Sequence, residues 1–113
     1  MKNKLLIVLC VMLLPVNVFA QNTATWYGGK MFENKLMANG KPYRNYRNTC
    51  SSNIYRLGTR LKVTNISNNK SVIVEVTDRG NFSSRNVDLS LLAFRQIAKT
   101  STGRINVKIE KIK

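Results

Sequence analysis

The chain has 113 residues, with 19 Lys and Arg against 5 Asp and Glu, and its net charge is +14; that length allows one small domain. Histidine is absent, which excludes an imidazole base, a Ser-His-Asp or Cys-His nucleophile system and a His-ligated zinc. Two cysteines build neither a disulfide framework nor a four-cysteine metal site, so no cofactor or metal is expected, and 43% hydrophobic with 21% charged residues suits a folded domain better than a basic tail.

Residues 1–20 read as a secretory signal peptide. Lys2 and Lys4 precede the apolar run Leu5 to Leu14, and Val18-Phe19-Ala20 supplies small residues at the −3 and −1 positions. A run of about ten apolar residues is short for a membrane span of ~20, and Pro15 and Asn17 interrupt it. Cys10 follows Leu9 inside the apolar run, which does not suit a lipoprotein site. Export to the periplasm or the outside is therefore expected, with residues 21–113 as one domain and no membrane span in the mature form. The leader takes only Lys2 and Lys4 from the +14, so the remainder keeps +12. It also keeps one cysteine, Cys50, either a buried structural thiol or a partner for an intermolecular disulfide.

Thr23 to Tyr27, broken by Gly28-Gly29, reads as a first strand, with Trp26 expected in the core. From Lys30 to Asn53 the chain is polar, rich in Asn, Tyr and Arg, and is expected to form long ordered loops of the kind that carry function. Leu61 and Val63 alternate with polar residues, Asn65 to Lys70 supplies turn chemistry, and Val72, Val74 and Val76 alternate again, which predicts a β-hairpin with an apolar inner face. Ser90 is a suitable N-cap for a short helix over Leu91 to Ala98, with Leu91, Phe94 and Ala98 on one side. Ile105, Val107 and Ile109 alternate in a last strand. Short strands with one helix argue for an all-β barrel or sandwich.

Five motifs in order carry a resemblance. Trp26-Tyr27-Gly28, Ala38-Asn39-Gly40, Leu57-Gly58-Thr59 leading into Leu61 to Asn65, Thr77-Asp78-Arg79-Gly80-Asn81-Phe82, and Val87-Asp88-Leu89-Ser90 resemble the motif series of the rare lipoprotein A (RlpA) family, from Thr23 to about Ile109. The resemblance implies a mainly β fold, a six-stranded double-psi β-barrel related to expansins and barwin, with one short helix and a groove that binds glycan. It also implies a lytic transglycosylase acting on peptidoglycan. Such an enzyme protonates the glycosidic oxygen beside N-acetylmuramic acid and then takes the proton of the sugar's own 6-hydroxyl, closing a 1,6-anhydro ring; one carboxyl group can do both in sequence.

Among the five acids, Glu75 and Glu110 fall on the outward phase of their strands and Glu33 lies in the polar loop. The family places its catalytic aspartate at Asp78, whose plainer role is a turn residue that caps Gly80 or pairs with Arg79. Asp88 matches the aspartate that lines the groove in relatives; its plainer role is a charge beside a helix N-terminus. The family's histidine position falls on Ser52, which can hydrogen-bond a substrate or water, and its Glu after Asn-Gly becomes Lys41.

Tyr27, Asn39, Tyr43, Tyr46 and Arg79 are the candidate substrate-binding residues, with Tyr43 and Tyr46 expected to be exposed in polar sequence and to stack on sugar rings. Aromatics interleaved with Arg also suit single-stranded nucleic acid, but export argues against a nucleic-acid partner. The expected partners are peptidoglycan glycan strands and other anionic envelope polymers, to which a basic protein is drawn by long-range attraction. Two further classes remain: a non-catalytic wall-binding or expansin-like module, and a basic exported effector or inhibitor of a protein partner.

Overall fold

The computed structural model describes residues 22–82 and 85–112; the expected leader lies outside the described residues. In chain order these form β1 (Asn22–Tyr27), β2 (Thr49–Ser51), β3 (Arg60–Asn65), β4 (Ser71–Asp78), β5 (Asn86–Ser90), α1 (Leu91–Ile97), a single 3-10 turn (Thr100–Thr102) and β6 (Ile105–Ile112). The strands close into a barrel in the order β1-β5-β2-β4-β3-β6, so no strand of the barrel is left with a free edge. Two pairs are parallel, β1 with β5 and β2 with β4, while the other four are antiparallel.

Period-2 patterning explains the barrel wall. Leu61 and Val63 of β3 pair with Val74 and Val72 of β4, and all four are buried, as are Val76 and, on β6, Ile105 and Val107. Each such side chain taken from water contributes roughly 1.5–3 kcal/mol before the entropy of ordering it is counted. Cys50 on β2 is fully buried among these residues. Burial, with a smaller push from Asp88, raises its thiol to about 12, so it stays protonated and packs as a small apolar side chain.

Residues 30–53, expected as loops, hold more structure than that. Besides β2, residues 34–43 fold back on themselves as a short arm: Tyr43 N–H donates to the Lys35 carbonyl at 2.7 Å, and Met37 N–H to the Lys41 carbonyl at 2.8 Å. The arm is fastened to the barrel where Asn39 N–H donates to the Thr77 carbonyl at 3.1 Å.

The helix starts where its sequence places it. Ser90 Oγ accepts from Ala93 N–H at 3.3 Å, but the buried face is Ala93, Phe94 and Ile97 rather than Leu91, Phe94 and Ala98. A helix of two turns sits on the barrel by its middle, which leaves Leu91 and Ala98 at its two ends half-buried. Ser90 Oγ also donates to the Arg47 carbonyl at 2.6 Å and accepts from Thr49 N–H at 3.4 Å, tying the start of β2 to the helix. Removing this fully buried hydroxyl orphans the Ala93 N–H, while Thr49 N–H and the Arg47 carbonyl still bond each other at 3.1 Å, so Ser90→Ala should cost about 1 kcal/mol in urea unfolding. A loss below about 0.5 kcal/mol would show that relaxation or water replaces the cap. Among the described residues, no helix is long and apolar enough to cross a membrane.

Candidate active site

Four residues form one row across four neighbouring strands. Thr25 of β1 stands opposite Asp88 of β5, Asp88 opposite Ser51 of β2, and Ser51 opposite Asp78 of β4. Ladder spacing puts the two aspartates roughly 10 Å apart at Cα, with Ser51 between them. A β-bulge makes the row possible. Register slips after Cys50, whose partner is Val76, so that Ser51 meets Asp78 and Thr77 is left opposite no residue. Without that extra residue Thr77 would occupy the row and Asp78 would point to the opposite face; re-aiming a side chain is a common use of a bulge.

The two carboxylates are held differently. Asp78 Oδ1 accepts from Ala38 N–H at 2.8 Å and from Arg79 N–H at 2.9 Å, which fixes the carboxylate and leaves Oδ2 without a described protein partner. Asp88 Oδ1 accepts from Thr25 Oγ1 at 2.8 Å. Burial raises the Asp88 pKa above the ordinary aspartate value, and the Thr25 hydroxyl offsets part of the effect. Asp88 therefore holds its proton to higher pH than a free aspartate.

That shift has a signed consequence for stability. The native state binds this proton more tightly than the unfolded chain, so Asp88 imposes no penalty below the ordinary aspartate value and a growing one as pH rises through its raised value. Asp88→Asn should therefore melt above the parent at pH 7, and the gap should close as pH falls toward 4. Melting curves across that range check it, and a gap independent of pH would contradict it.

Both aspartates line a cleft of about 480 Å3, whose walls include Tyr27, Phe32, Met37 and Tyr43 on one side and Arg79 to Phe82 on another. The Tyr27 and Tyr43 rings lie 4.9 Å apart, and Phe32 meets Tyr27 edge-on at 5.6 Å. The Tyr27 hydroxyl is buried without a hydrogen-bond partner. Its pKa is pushed up by burial and then by the nearby Asp78, Tyr43 and Asp88; Ser51 pulls it back in part, although the two hydroxyls do not meet at full hydrogen-bond geometry. It is thus a neutral phenol with an unused donor beside both carboxylates.

Of the residues singled out from sequence, the cleft brings together Asp78, Asp88, Tyr27, Tyr43 and Arg79. Tyr43 is not the exposed stacking residue expected: it is 1% exposed, and its hydroxyl donates to the Tyr27 carbonyl at 2.9 Å while accepting from Leu91 N–H at 3.2 Å. Arg79 is committed to the fold, since its guanidinium donates to the carbonyls of Ser52 and Tyr55 at 2.7 and 3.0 Å. Ser52 does not line the cleft; it is fully buried, and its hydroxyl accepts from the N–H groups of Ile54 and Tyr55, both at 3.2 Å, closing a turn. Tyr46, 63% exposed, and Asn39 also lie outside this cleft.

Two positioning residues escape sequence reasoning. Thr25 orients Asp88, and Asn53 holds the lip at residues 80–82, donating to the carbonyls of Gly80 and Phe82 and accepting from Gly80 N–H. Thr25 sits in an ordinary strand pattern and Asn53 in a polar stretch, so neither carries a local signal.

A closed six-stranded barrel in the order β1-β5-β2-β4-β3-β6, with β1–β5 and β2–β4 parallel, has the architecture of a double-psi β-barrel. A Streptomyces papain inhibitor shares the fold, with a TM-score of 0.69 at 17% identity over 88% of this chain and 98% of its own. A Clavibacter michiganensis expansin mutant solved with cellohexaose does so with a TM-score of 0.66 at 20% identity, over 82% of this chain and 50% of its own. The lytic transglycolase family model matches residues 20–109, and the chain belongs to that family, as the RlpA-like motifs imply. It is 44% identical over 91 residues to the endolytic peptidoglycan transglycosylase RlpA of Pseudomonas aeruginosa, a match covering 80% of this chain and 26% of that protein. Its identity to the Vibrio cholerae protein of the same name is 41%, over 87% of this chain and 37% of the other. The chain thus spans about a quarter to a third of the length of these curated relatives. An uncharacterized Synechocystis protein is matched over 96% of its length at 43% identity.

Proposed function

We propose that this protein is exported after removal of residues 1–20 and cleaves peptidoglycan glycan strands as a lytic transglycosylase, with Asp78 as acid and then base. The observation that supports this most directly is the row Thr25–Asp88–Ser51–Asp78, which turns two carboxylates into one groove. Asp78, anchored through Oδ1 by two backbone N–H groups, offers Oδ2 for proton transfer. Its carboxyl protonates the glycosidic oxygen as the C1–O4 bond breaks. The resulting carboxylate then takes the 6-hydroxyl proton as the C1–O6 bond forms, so the enzyme ends as it began and no water is used.

Asp88, held through Oδ1 by the Thr25 hydroxyl, and the Tyr27 ring line the base of the groove, where the carboxyl group can hydrogen-bond sugar hydroxyls. The rings of Tyr27 and Phe32, backed by the buried Tyr43, give pyranose rings an apolar surface. Mass spectrometry of the soluble products from intact sacculi and denuded glycan, beside Asp78→Asn, tests this reading: anhydro-muropeptides are expected from the parent protein alone.

A second reading, a barrel that binds or loosens wall glycan without cutting it, draws support from Ser52. At the position of the family histidine this side chain, just after β2, is fully buried in a turn, so that position brings no titratable group to Asp78. Co-sedimentation with sacculi without products would select this reading.

A further inference from the structure

A second cleft, of about 300 Å3, lies on the other side of the 34–43 arm and shares Met37 with the first. Three cations line it, Lys41, Arg44 and Arg47, against one carboxylate, Glu75. Arg44 is 3.8 Å from Glu33, whereas among the described residues neither Lys41 nor Arg47 has a carboxylate within 4.0 Å.

Two threonines complete the lining and distinguish the cleft from a basic surface. Thr49 is 8% exposed and Thr77 3%, and both hydroxyls are buried without a hydrogen-bond partner. An unmatched buried hydroxyl costs about 1–3 kcal/mol, and valine would fill the same space without that cost. Two unmatched hydroxyls in the lining of one cleft, beside an excess of cations, fit an anionic ligand that accepts hydrogen bonds. Thr77 is the bulged residue itself, so the distortion that brings Asp78 into the catalytic row also puts a donor into the second cleft. Consecutive Cα atoms are about 3.8 Å apart, so the two clefts meet at the Thr77–Asp78 peptide as well as at Met37.

We propose that the second cleft is a carboxylate-binding subsite that reads the acidic groups of the glycan strand. It rests on the peptidoglycan reading given above. Peptidoglycan offers this chemistry from two sources: the lactyl carboxylate of each muramic acid stripped of its peptide, and the carboxylates of the peptide stem where one remains.

Small probes separate the sources. Amide chemical shifts of Thr49, Thr77 and Arg47 are followed while N-acetylmuramic acid, muramyl dipeptide or the uncharged N-acetylglucosamine is added to the protein. Shifts with N-acetylmuramic acid assign the lactyl source, and shifts with muramyl dipeptide alone assign the peptide source; either result supports the subsite. Equal response to N-acetylglucosamine, or no response at these amides to either acid, overturns it.

Thr77→Val separates binding from folding: affinity for the acid should fall at least about fivefold while the melting temperature stays level or rises, since the variant removes an unpartnered polar atom. Arg47→Gln should weaken the acid about tenfold and flatten its salt dependence. Unchanged affinity in both variants also overturns the proposal. Because the probes contain no bond to cleave, a protein that binds them and makes no anhydro products refutes the transglycosylase and leaves the subsite standing. The reverse result refutes the subsite alone.

Discussion

Asp78→Asn is expected to lower the rate of anhydro-muropeptide release by at least about 10²-fold while leaving the fold and glycan binding in place. The substitution is nearly isosteric, and the asparagine Oδ1 still accepts from Ala38 and Arg79, so the arm and the lip stay fastened. What it removes is the ability to give and take a proton at Oδ2. Melting within a few degrees of the parent, unchanged co-sedimentation with sacculi and lost products would together assign proton transfer to this carboxyl. Asp78→Ala is the poorer test, because it also frees Ala38 N–H and loosens the arm that forms one wall of the cleft. Combining Asp78→Asn with Asp88→Asn should add little further loss, since residues that act in one step are not additive. Products persisting from Asp78→Asn at more than a tenth of the parent rate would take the chemistry away from Asp78.

The barrel wall was legible where local periodicity carried it, in Leu61 to Val76 and in Ile105 to Ile109, and at the helix start, where Ser90 is both a sequence signal and the observed cap. Strand β2 was not legible, because three residues show no period, and β5 was not, because Asp88 interrupts its apolar run. Both strands owe their existence to parallel partners far along the chain, which no local pattern encodes. The candidate site follows the same division. Asp78 and Asp88 came forward through the motifs around them, but their alignment depends on a one-residue slip at Thr77. Tyr43 misled because polar neighbours suggested exposure, whereas its hydroxyl bridges the end of β1 to the start of α1, a role set by tertiary contact.

That bridge is what Gly28→Ala should break, with an expected loss of about 3 kcal/mol and, for a domain of this size, a melting temperature lower by about 12–24 °C. Gly28 has a φ of +153°, and a Cβ there would lie 2.5 Å from Asn45 Oδ1, 2.8 Å from the Tyr43 hydroxyl and 3.2 Å from Leu91 Cβ. None of the three can yield cheaply. Asn45 Oδ1 accepts from Gly29 N–H at 2.9 Å, the Tyr43 hydroxyl joins the Tyr27 carbonyl to Leu91 N–H, and Leu91 opens the helix. Moving Tyr43 also moves the ring packed against Tyr27, so glycan binding should weaken with stability. Gly29→Ala supplies the control: φ there is +95°, but nothing lies within 4 Å of the added Cβ, so backbone strain acts alone and the cost should be about 1 kcal/mol. A clearly larger loss at Gly28 than at Gly29 assigns the difference to the crowded junction of β1, the arm and α1; equal losses would mean that this junction relaxes around a methyl group and does not hold the aromatic wall in place.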